Sequence, residues 1–151
     1  MVEVRRLGPD DLAAFRAMNA LFAQVFEEPE TYRDAAPTDA YACDLLGDPH
    51  VMLIVAEAEA RVVGAIGGYI LRKFEQDRRE VFIYDLAVAA DSRRRGIATR
   101  MIEEVRRVAR ETQAWTVFVQ ADVFPEDEPA RALYRKLAAD EITALHFDIA
   151  P

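Results

Sequence analysis

The stretch "YDLAVAADSRRRGIAT", Tyr84–Thr99, decides the fold, because it joins the strongest strand pattern in the chain to the strongest helix pattern. Val81–Val88 is apolar on both faces apart from Asp85, which predicts a buried central strand. Between Gly96 and Glu111, apolar residues recur at helical spacing and predict an amphipathic helix. Three consecutive arginines and a glycine occupy the turn between these two elements.

This turn is a candidate anion site. The first turn of a helix presents unpaired N–H groups and the positive end of the helix dipole. Arg93, Arg94 and Arg95 could add charge-assisted hydrogen bonds, and Gly96 would let the backbone approach a ligand closely. The alternative is a solvated turn in which the arginines pair with Asp91 or with carboxylates of the helix. Neither a P-loop nor a dinucleotide-binding glycine motif occurs in the chain.

The other elements predict one α/β (α+β) domain over residues 1–151, with a sheet and surrounding helices. Predicted strands lie at Val2–Leu7, Val51–Ala58, Val62–Leu71, Trp115–Gln120 and Ala144–Ile149, and predicted helices lie after Asp11, at Pro37–Leu46 and at Pro129–Leu137. Three glycines at positions 64, 67 and 68 predict a bulge or a close backbone approach in the third of these strands.

Composition limits the possible partners. The net charge of -8, from 27 acidic and 19 basic residues, argues against general binding of nucleic acid. An acidic surface suits a cationic partner, although it also serves solubility. With one cysteine and no long apolar segment, the chain is expected to be cytoplasmic and to have no membrane partner. Two histidines without ligand spacing predict no metal site.

Two motifs resemble those of the GNAT superfamily of N-acetyltransferases. "RRRGIA" matches that family's [QR]-x-x-G-x-[GA] turn and follows "LAV" at the usual distance. "DEPARALYRKL" resembles the family's N-x-x-A-x-x-x-Y helix, with Asp127, Ala130 and Tyr134 at the matching positions. The resemblance implies the GNAT fold, a mixed and mostly antiparallel central sheet flanked by helices, with acetyl-CoA as the co-substrate.

In that family the turn holds the pyrophosphate of acetyl-CoA and the preceding strand pairs with the pantetheine arm. The cofactor-binding residues implied by the resemblance are Leu86, Ala87, Val88, Arg93, Arg94, Arg95, Gly96, Ile97, Ala98, Thr99 and Ala130.

A narrower resemblance is to the GNAT-type aminoglycoside 3-N-acetyltransferases. It rests on "FEEPETY", "KFEQ", "YDLAV", "RRRGIAT", "FVQAD", "ALYRKL" and "HFDI", in that order. It implies acetyl transfer to the 3-amino group of an aminoglycoside by direct attack in a ternary complex, antibiotic resistance, and a homodimer. The rival hypotheses are a GNAT enzyme acting on a polyamine, a protein lysine or a protein N-terminus, and a non-catalytic CoA-binding protein.

Two residues are predicted to be catalytic. Tyr134 carries a proton at neutral pH and is placed by the resemblance near the coenzyme sulfur, where it would act as general acid. Its alternative role is to pack its ring against the core. Asp85 is a carboxylate in an apolar strand and therefore needs a cation or a strong donor. It either faces the acceptor cleft, holding the ammonium or taking its proton, or forms an internal salt bridge to an arginine.

A polycationic acceptor calls for a pocket lined by carboxylates. "QADVFPEDE" supplies several without a basic residue, and residues 27–48 hold seven carboxylates against one arginine. The alternative for these acidic runs is a solvated surface. The predicted substrate-binding residues are Tyr84, Asp85, Asp122, Glu126, Asp127 and Glu28.

Overall fold

A five-stranded sheet in the order β1-β2-β3-β4-β5 organises the first part of the chain. The computed structural model describes residues 1–151 and divides them into two units, Met1–Gln120 and Ala121–Pro151. The strands are β1 Glu3–Arg6, β2 Val51–Ala58, β3 Arg61–Arg72, β4 Arg79–Val88 and β5 Ala114–Val119. The helices are α1 Leu12–Val25, α2 Asp39–Gly47, α3 Ile97–Glu111 and, in the second unit, α4 Glu128–Leu137. Neighbouring strands are antiparallel except β4 and β5, which are parallel, so the predicted mixed and mostly antiparallel sheet is confirmed.

The helices of the first unit cover both faces of this sheet. Phe15, Met18 and Phe22 of α1 are buried in one cluster with Leu53 of β2. On the other face α3 lies so close to β3 that a Cβ at Gly64 would stand 3.0 Å from a side-chain carbon of α3. This close packing fixes the start of α3 against the sheet.

Local backbone irregularities occur in the connection between β2 and β3 and at the glycines that predicted a bulge. Glu59 and Ala60, both at positive φ, form the two-residue connection between β2 and β3. The β3–β4 register shifts between Gly67 and Gly68, which confirms the predicted bulge. Gly67 lies opposite Asp85, and Gly68 lies opposite Ile83. Tyr84, between Ile83 and Asp85, therefore has no partner on β3.

The predicted closing strand Ala144–Ile149 is wrong. No strand follows β5, and the large apolar side chains of this segment are exposed, with Leu145 at 80%, Phe147 at 76% and Ile149 at 89%. An apolar alternation suits a strand only where a neighbour pairs with its backbone, and no part of this chain pairs with this segment. The predicted helices and the remaining strands are confirmed.

Gly68→Ala is expected to destabilise the fold. A Cβ there would lie 2.4 Å from the carbonyl oxygen of Phe82, a backbone atom that cannot move without disturbing β4. Overpacking of this kind costs about 1–3 kcal/mol. Urea unfolding measures the loss, and Gly67→Ala is the matched control, since its Cβ meets only a Leu53 methyl group at 4.0 Å. Equal stability of the two variants would contradict the close approach.

Candidate active site

The arginine turn lies between β4 and α3. After β4, a 3-10 turn at Ala90–Ser92 leads into the arginines, and α3 begins at Ile97. Arg94 and Gly96 both have positive φ, at 59° and 73°. No side chain caps the first turn of α3 and no acidic residue lies in it, so the N–H groups there keep their capacity to bind an anion.

The arginines of the turn are not engaged by carboxylates. Asp91 pairs with Arg61 of the β2–β3 hairpin, with 2.9 Å between Nη2 and Oδ2. Arg93 donates from Nε to the carbonyl of Val88 at 3.2 Å, while the side chains of the next two arginines are exposed and form no ion pair. No ion pair therefore joins these arginines to Asp91, and that part of the alternative is wrong, although the exposed side chains of Arg94 and Arg95 are those of a solvated turn.

The strand that leads into the turn has an open edge. Pairing of β4 with β5 ends at Ile83 opposite Val119, whereas pairing with β3 continues to Val88 opposite Gly64. From Tyr84 onwards one edge of β4 therefore has no neighbouring strand. Such an edge offers N–H and C=O groups to a ligand, and it includes the predicted cofactor-binding "LAV" segment.

The bulge places two consecutive side chains in one cavity. Neighbouring residues of a regular strand point to opposite faces, but Tyr84 and Asp85 both line a cavity of about 210 Å³ beside α1. Apolar side chains including Phe22 form much of its wall, and Tyr32 and Tyr69 supply two further hydroxyl groups. The sequence-predicted pair is thus brought together.

Asp85 has a neutral partner. The hydroxyl of Tyr32 donates to its Oδ2 at 2.8 Å, and no basic side chain is bonded to it. The alternative of an internal salt bridge to an arginine is therefore wrong. Asp85 is a half-buried carboxylate without a counter-ion, which is the arrangement expected of a group that meets a cationic ligand.

Burial and charge act together on this carboxylate. Desolvation by burial raises the pKa of Asp85, the hydrogen bond from Tyr32 opposes that rise, and the charge of Glu28 adds to it. Glu28, predicted as a substrate-binding residue, is therefore close enough for its charge to act on Asp85. The pKa of Tyr32 is itself raised, mainly by burial and then by its bond to Asp85, so its hydroxyl stays protonated and remains a donor.

Tyr32 and Tyr69 were not among the residues predicted from the sequence. Tyr32 lies within the acidic span, in a π-helical turn at Glu30–Asp34, and only the tertiary fold brings it to Asp85. Tyr69 makes an edge-to-face contact with Tyr84, with ring centroids 6.1 Å apart. Two local signals pointed to Tyr32: it is a tyrosine among carboxylates, and it ends the "FEEPETY" match of the narrower resemblance.

A larger groove, of about 550 Å³, lies along the first turns of α1. Three of its charged side chains pair with one another, because Arg5 bonds both Asp11 at 2.8 Å and Glu57 at 2.9 Å. The other two charged side chains that line it, Asp10 and Arg61, are exposed, so the groove holds no half-buried carboxylate without a counter-ion.

The second unit holds the remaining predicted residues. Ala130 and Tyr134 lie one turn apart on α4, both half-buried, and Asp127 is the residue before the helix. Asp122 and Glu126 are exposed in the segment that leads to it. Arg131 holds this segment by donating to the carbonyl groups of residues 122 and 124 and by pairing with Glu128.

Residues 15–139 match the model of the acetyltransferase (GNAT) family. The chain belongs to this family. Its five-stranded mixed sheet flanked by helices is the GNAT fold, and acetyltransferases of this family use acetyl-CoA. The unpaired arginine turn and the open edge of β4 fit that molecule's phosphates and its amide-bearing arm.

Two solved structures resemble the chain over nearly its whole length. One is an aminoglycoside acetyltransferase from an uncultured soil metagenomic sample, with 42% identity and a TM-score of 0.97, covering 100% of this chain and 99% of that one. The other, also from an uncultured soil metagenomic sample, is an aminoglycoside acetyltransferase in complex with sisomicin, with 27% identity and a TM-score of 0.84, covering 99% and 97%.

A curated relative of this GNAT chain is named for an acceptor that is not an aminoglycoside. It is an L-2,4-diaminobutyric acid acetyltransferase of Shouchella clausii (strain KSM-K16), 37% identical over 90 residues, which are 60% of this chain and 48% of that protein. The chain thus spans about half the length of the curated relatives it matches.

Neither a metal centre nor a membrane helix is found in the structure. No group of three or more His, Cys, Asp or Glu side chains is arranged to hold a metal ion. No helix has the length and apolar character needed to cross a bilayer.

Asp85→Asn is expected to raise the stability of this GNAT chain at neutral pH. Because the folded-state pKa of Asp85 is raised, the folded state holds its proton more tightly than the unfolded state does. Ionised Asp85 therefore destabilises the fold above that raised pKa, and the cost disappears as pH falls to the unfolded value near ~3.9. An amide removes the charge and still accepts from Tyr32.

Thermal unfolding of both proteins between pH 4 and pH 8 measures this difference. The advantage of the variant should grow with pH, and each 1 kcal/mol corresponds to about 2–4 °C at this chain length. A pH-independent difference, or a variant less stable than the wild type at pH 7, would contradict the placement of an uncompensated charge.

Proposed function

We propose that this chain transfers the acetyl group of acetyl-CoA to an amino group of an aminoglycoside. The observation that carries the proposal is Asp85, a carboxylate without a counter-ion in a cavity beside the open edge of β4. A cationic amine would supply the missing charge. The 42% identity to an aminoglycoside acetyltransferase over the whole chain supports this choice of acceptor.

The cofactor would be held by the arginine turn and by β4. The free N–H groups of Ile97, Ala98 and Thr99 and the side chains of the three arginines would bind the pyrophosphate. Gly96 faces open space, since a Cβ there would meet no atom within 4 Å, so a ligand can approach its backbone. The backbone of Leu86–Val88 would pair with the pantetheine arm, and Ala130 completes the cofactor-binding set.

Acetyl transfer would proceed by direct attack in a ternary complex. Asp85 would hold the ammonium and accept its proton, directly or through a water molecule, so that the neutral nitrogen attacks the thioester carbon. As the C–S bond breaks, the hydroxyl of Tyr134 would give its proton to the leaving thiolate. As the amide forms, the nitrogen would lose a second proton, which solvent would carry to the Tyr134 oxygen to restore its hydroxyl. The products are then the N-acetyl amide, the free thiol and the one proton held by Asp85.

The rest of a polycationic acceptor would meet other acidic and aromatic groups. Tyr84 lines the cavity, and Glu28 acts electrostatically on Asp85. Asp122, Glu126 and Asp127 of the second unit are proposed as further substrate-binding residues, because their acidic run favours a polycation. From the narrower resemblance we further propose that the 3-amino group is the one acetylated. On the same basis we propose that the protein is cytoplasmic and confers resistance to the drug.

A second candidate acceptor is a small diamino acid. The 37% identity to an L-2,4-diaminobutyric acid acetyltransferase favours it. A diamino acid carries a carboxylate, which the acidic surroundings of Asp85 would repel. We therefore place the aminoglycoside first.

An acceptor panel tests the function. Purified protein with acetyl-CoA is offered aminoglycosides, polyamines, L-2,4-diaminobutyric acid and lysine peptides, and release of free thiol is measured. We expect the highest kcat/KM for an aminoglycoside, with a product that NMR identifies as 3-N-acetylated. Gly96→Glu is the control, because its carboxylate would repel the pyrophosphate and abolish thiol release. Preference for a diamine or for a peptide would contradict the proposal.

Tyr134→Phe is expected to lower kcat by on the order of a hundredfold or more, the usual cost of losing a general acid. The ring remains, so packing within α4 is kept, and calorimetry should give an unchanged affinity for acetyl-CoA. Turnover equal to that of the wild type would contradict the general-acid role of Tyr134 and favour a packing role.

We also propose a homodimer, supported by the apolar C-terminal segment. Its exposed side chains, Leu145 at 80% among them, need a cover that a second copy of the chain would supply. Light scattering after gel filtration should give a dimer for the full chain and a monomer for a chain ending at residue 143. A wild-type monomer at micromolar concentration would contradict this.

A further inference from the structure

The side chain of Tyr32 is held by its ring and donates through its hydroxyl. The ring packs against Phe22 of α1 and Phe26, the residue that follows the helix, with ring centroids 5.5 Å and 5.7 Å away. Those two phenyl rings stack on each other at 5.6 Å. Three aromatic rings thus set the position of the hydroxyl before any ligand arrives.

The hydroxyl reaches a residue 53 positions along the chain. It donates to Oδ2 of Asp85 at 2.8 Å, and Oδ1 has no protein partner. Across the ladder from Asp85 lies Gly67, which has no side chain to fill the space. One carboxylate oxygen is therefore fixed, and the other remains available on a residue that lines the cavity.

We propose that Tyr32 is a positioning residue for acetyl transfer: its hydroxyl holds Oδ2 of Asp85 so that Oδ1 meets the ammonium group of the acceptor. This inference rests on the proposed function and deepens it. Tyr32 would not touch the reacting atoms. It would act through Asp85, by fixing the rotation of the carboxylate and by favouring its charged form.

Other titratable groups around Asp85 set the direction of the expected pH effect. Glu28, before the π-helical turn, raises the pKa of Asp85, and Tyr32 is the group that lowers it. Tyr69 of β3 and Tyr84 of β4 line the same cavity, and no basic side chain lines it. Loss of the Tyr32 hydroxyl therefore leaves burial and Glu28 unopposed.

Tyr32→Phe tests the proposal with little change in packing, since the phenyl ring can keep its contacts with α1. We expect kcat/KM for the aminoglycoside to fall by on the order of tenfold or more, as for lost hydrogen bonds to charged groups. The acid limb of the pH profile should move to higher pH, because Asp85 must be ionised to hold the ammonium. The KM for acetyl-CoA should stay unchanged.

Two controls separate positioning from a structural role. Tyr41→Phe removes the hydroxyl of an exposed tyrosine on α2 and should leave kinetics and pH profile as they are. In an Asp85→Asn background, Tyr32→Phe should cost little more, since two residues that act as one unit are not additive.

The outcomes distinguish this inference from the proposed function. A wild type that acetylates aminoglycosides, with Tyr32→Phe unchanged in kcat/KM and in pH profile, overturns the positioning role alone. A full additional loss from Tyr32→Phe in the Asp85→Asn background also overturns it. A wild type that acetylates no amine overturns both proposals.

Discussion

Pairing between β4 and β5 ends at Ile83 and Val119, and this early end shapes the whole first unit. Beyond it, β4 keeps only β3 as a neighbour and runs, with one edge open, into the turn before α3. A backbone edge, a helix N-terminus and a group of exposed cations therefore follow one another along the chain. Together they suit a ligand that carries both amides and phosphates.

The bulge opposite Gly67 and Gly68 has an equally large effect on the cavity beside α1. By adding one residue to β4, it turns Tyr84 and Asp85 toward the same cavity and shifts all later residues of the strand. Gly68 is required there because the carbonyl of Phe82 occupies the place of a Cβ. A glycine required by a close backbone contact thus determines which side chains line the cavity.

The arginine turn and the cavity at Asp85 both carry charge without an ion-pair partner, positive in the turn and negative in the cavity. The turn keeps three arginines free of ion pairs because Asp91 is engaged by Arg61. The cavity keeps Asp85 without a cation and gives it a tyrosine hydroxyl instead. The half-buried charge of Asp85 costs stability in the free protein, and a bound cation would offset that cost. Arg5, in contrast, has both of its carboxylate partners, Asp11 and Glu57, within the first unit.

The sequence by itself determined the elements whose signals are local. The apolar runs of β2 to β4, the stripe of α3, the glycine-marked bulge and the strand–turn–helix with its arginines could all be read from neighbouring residues.

Tertiary structure alone decided which distant groups meet. The Tyr32–Asp85 bond joins residues 53 positions apart, and the engagement of Asp91 by Arg61 joins residues 30 positions apart. The failure of Ala144–Ile149 to form a strand has the same origin, because a strand exists only where another backbone pairs with it. Periodicity reports the face that a residue would present, whereas its partner depends on how the whole chain folds.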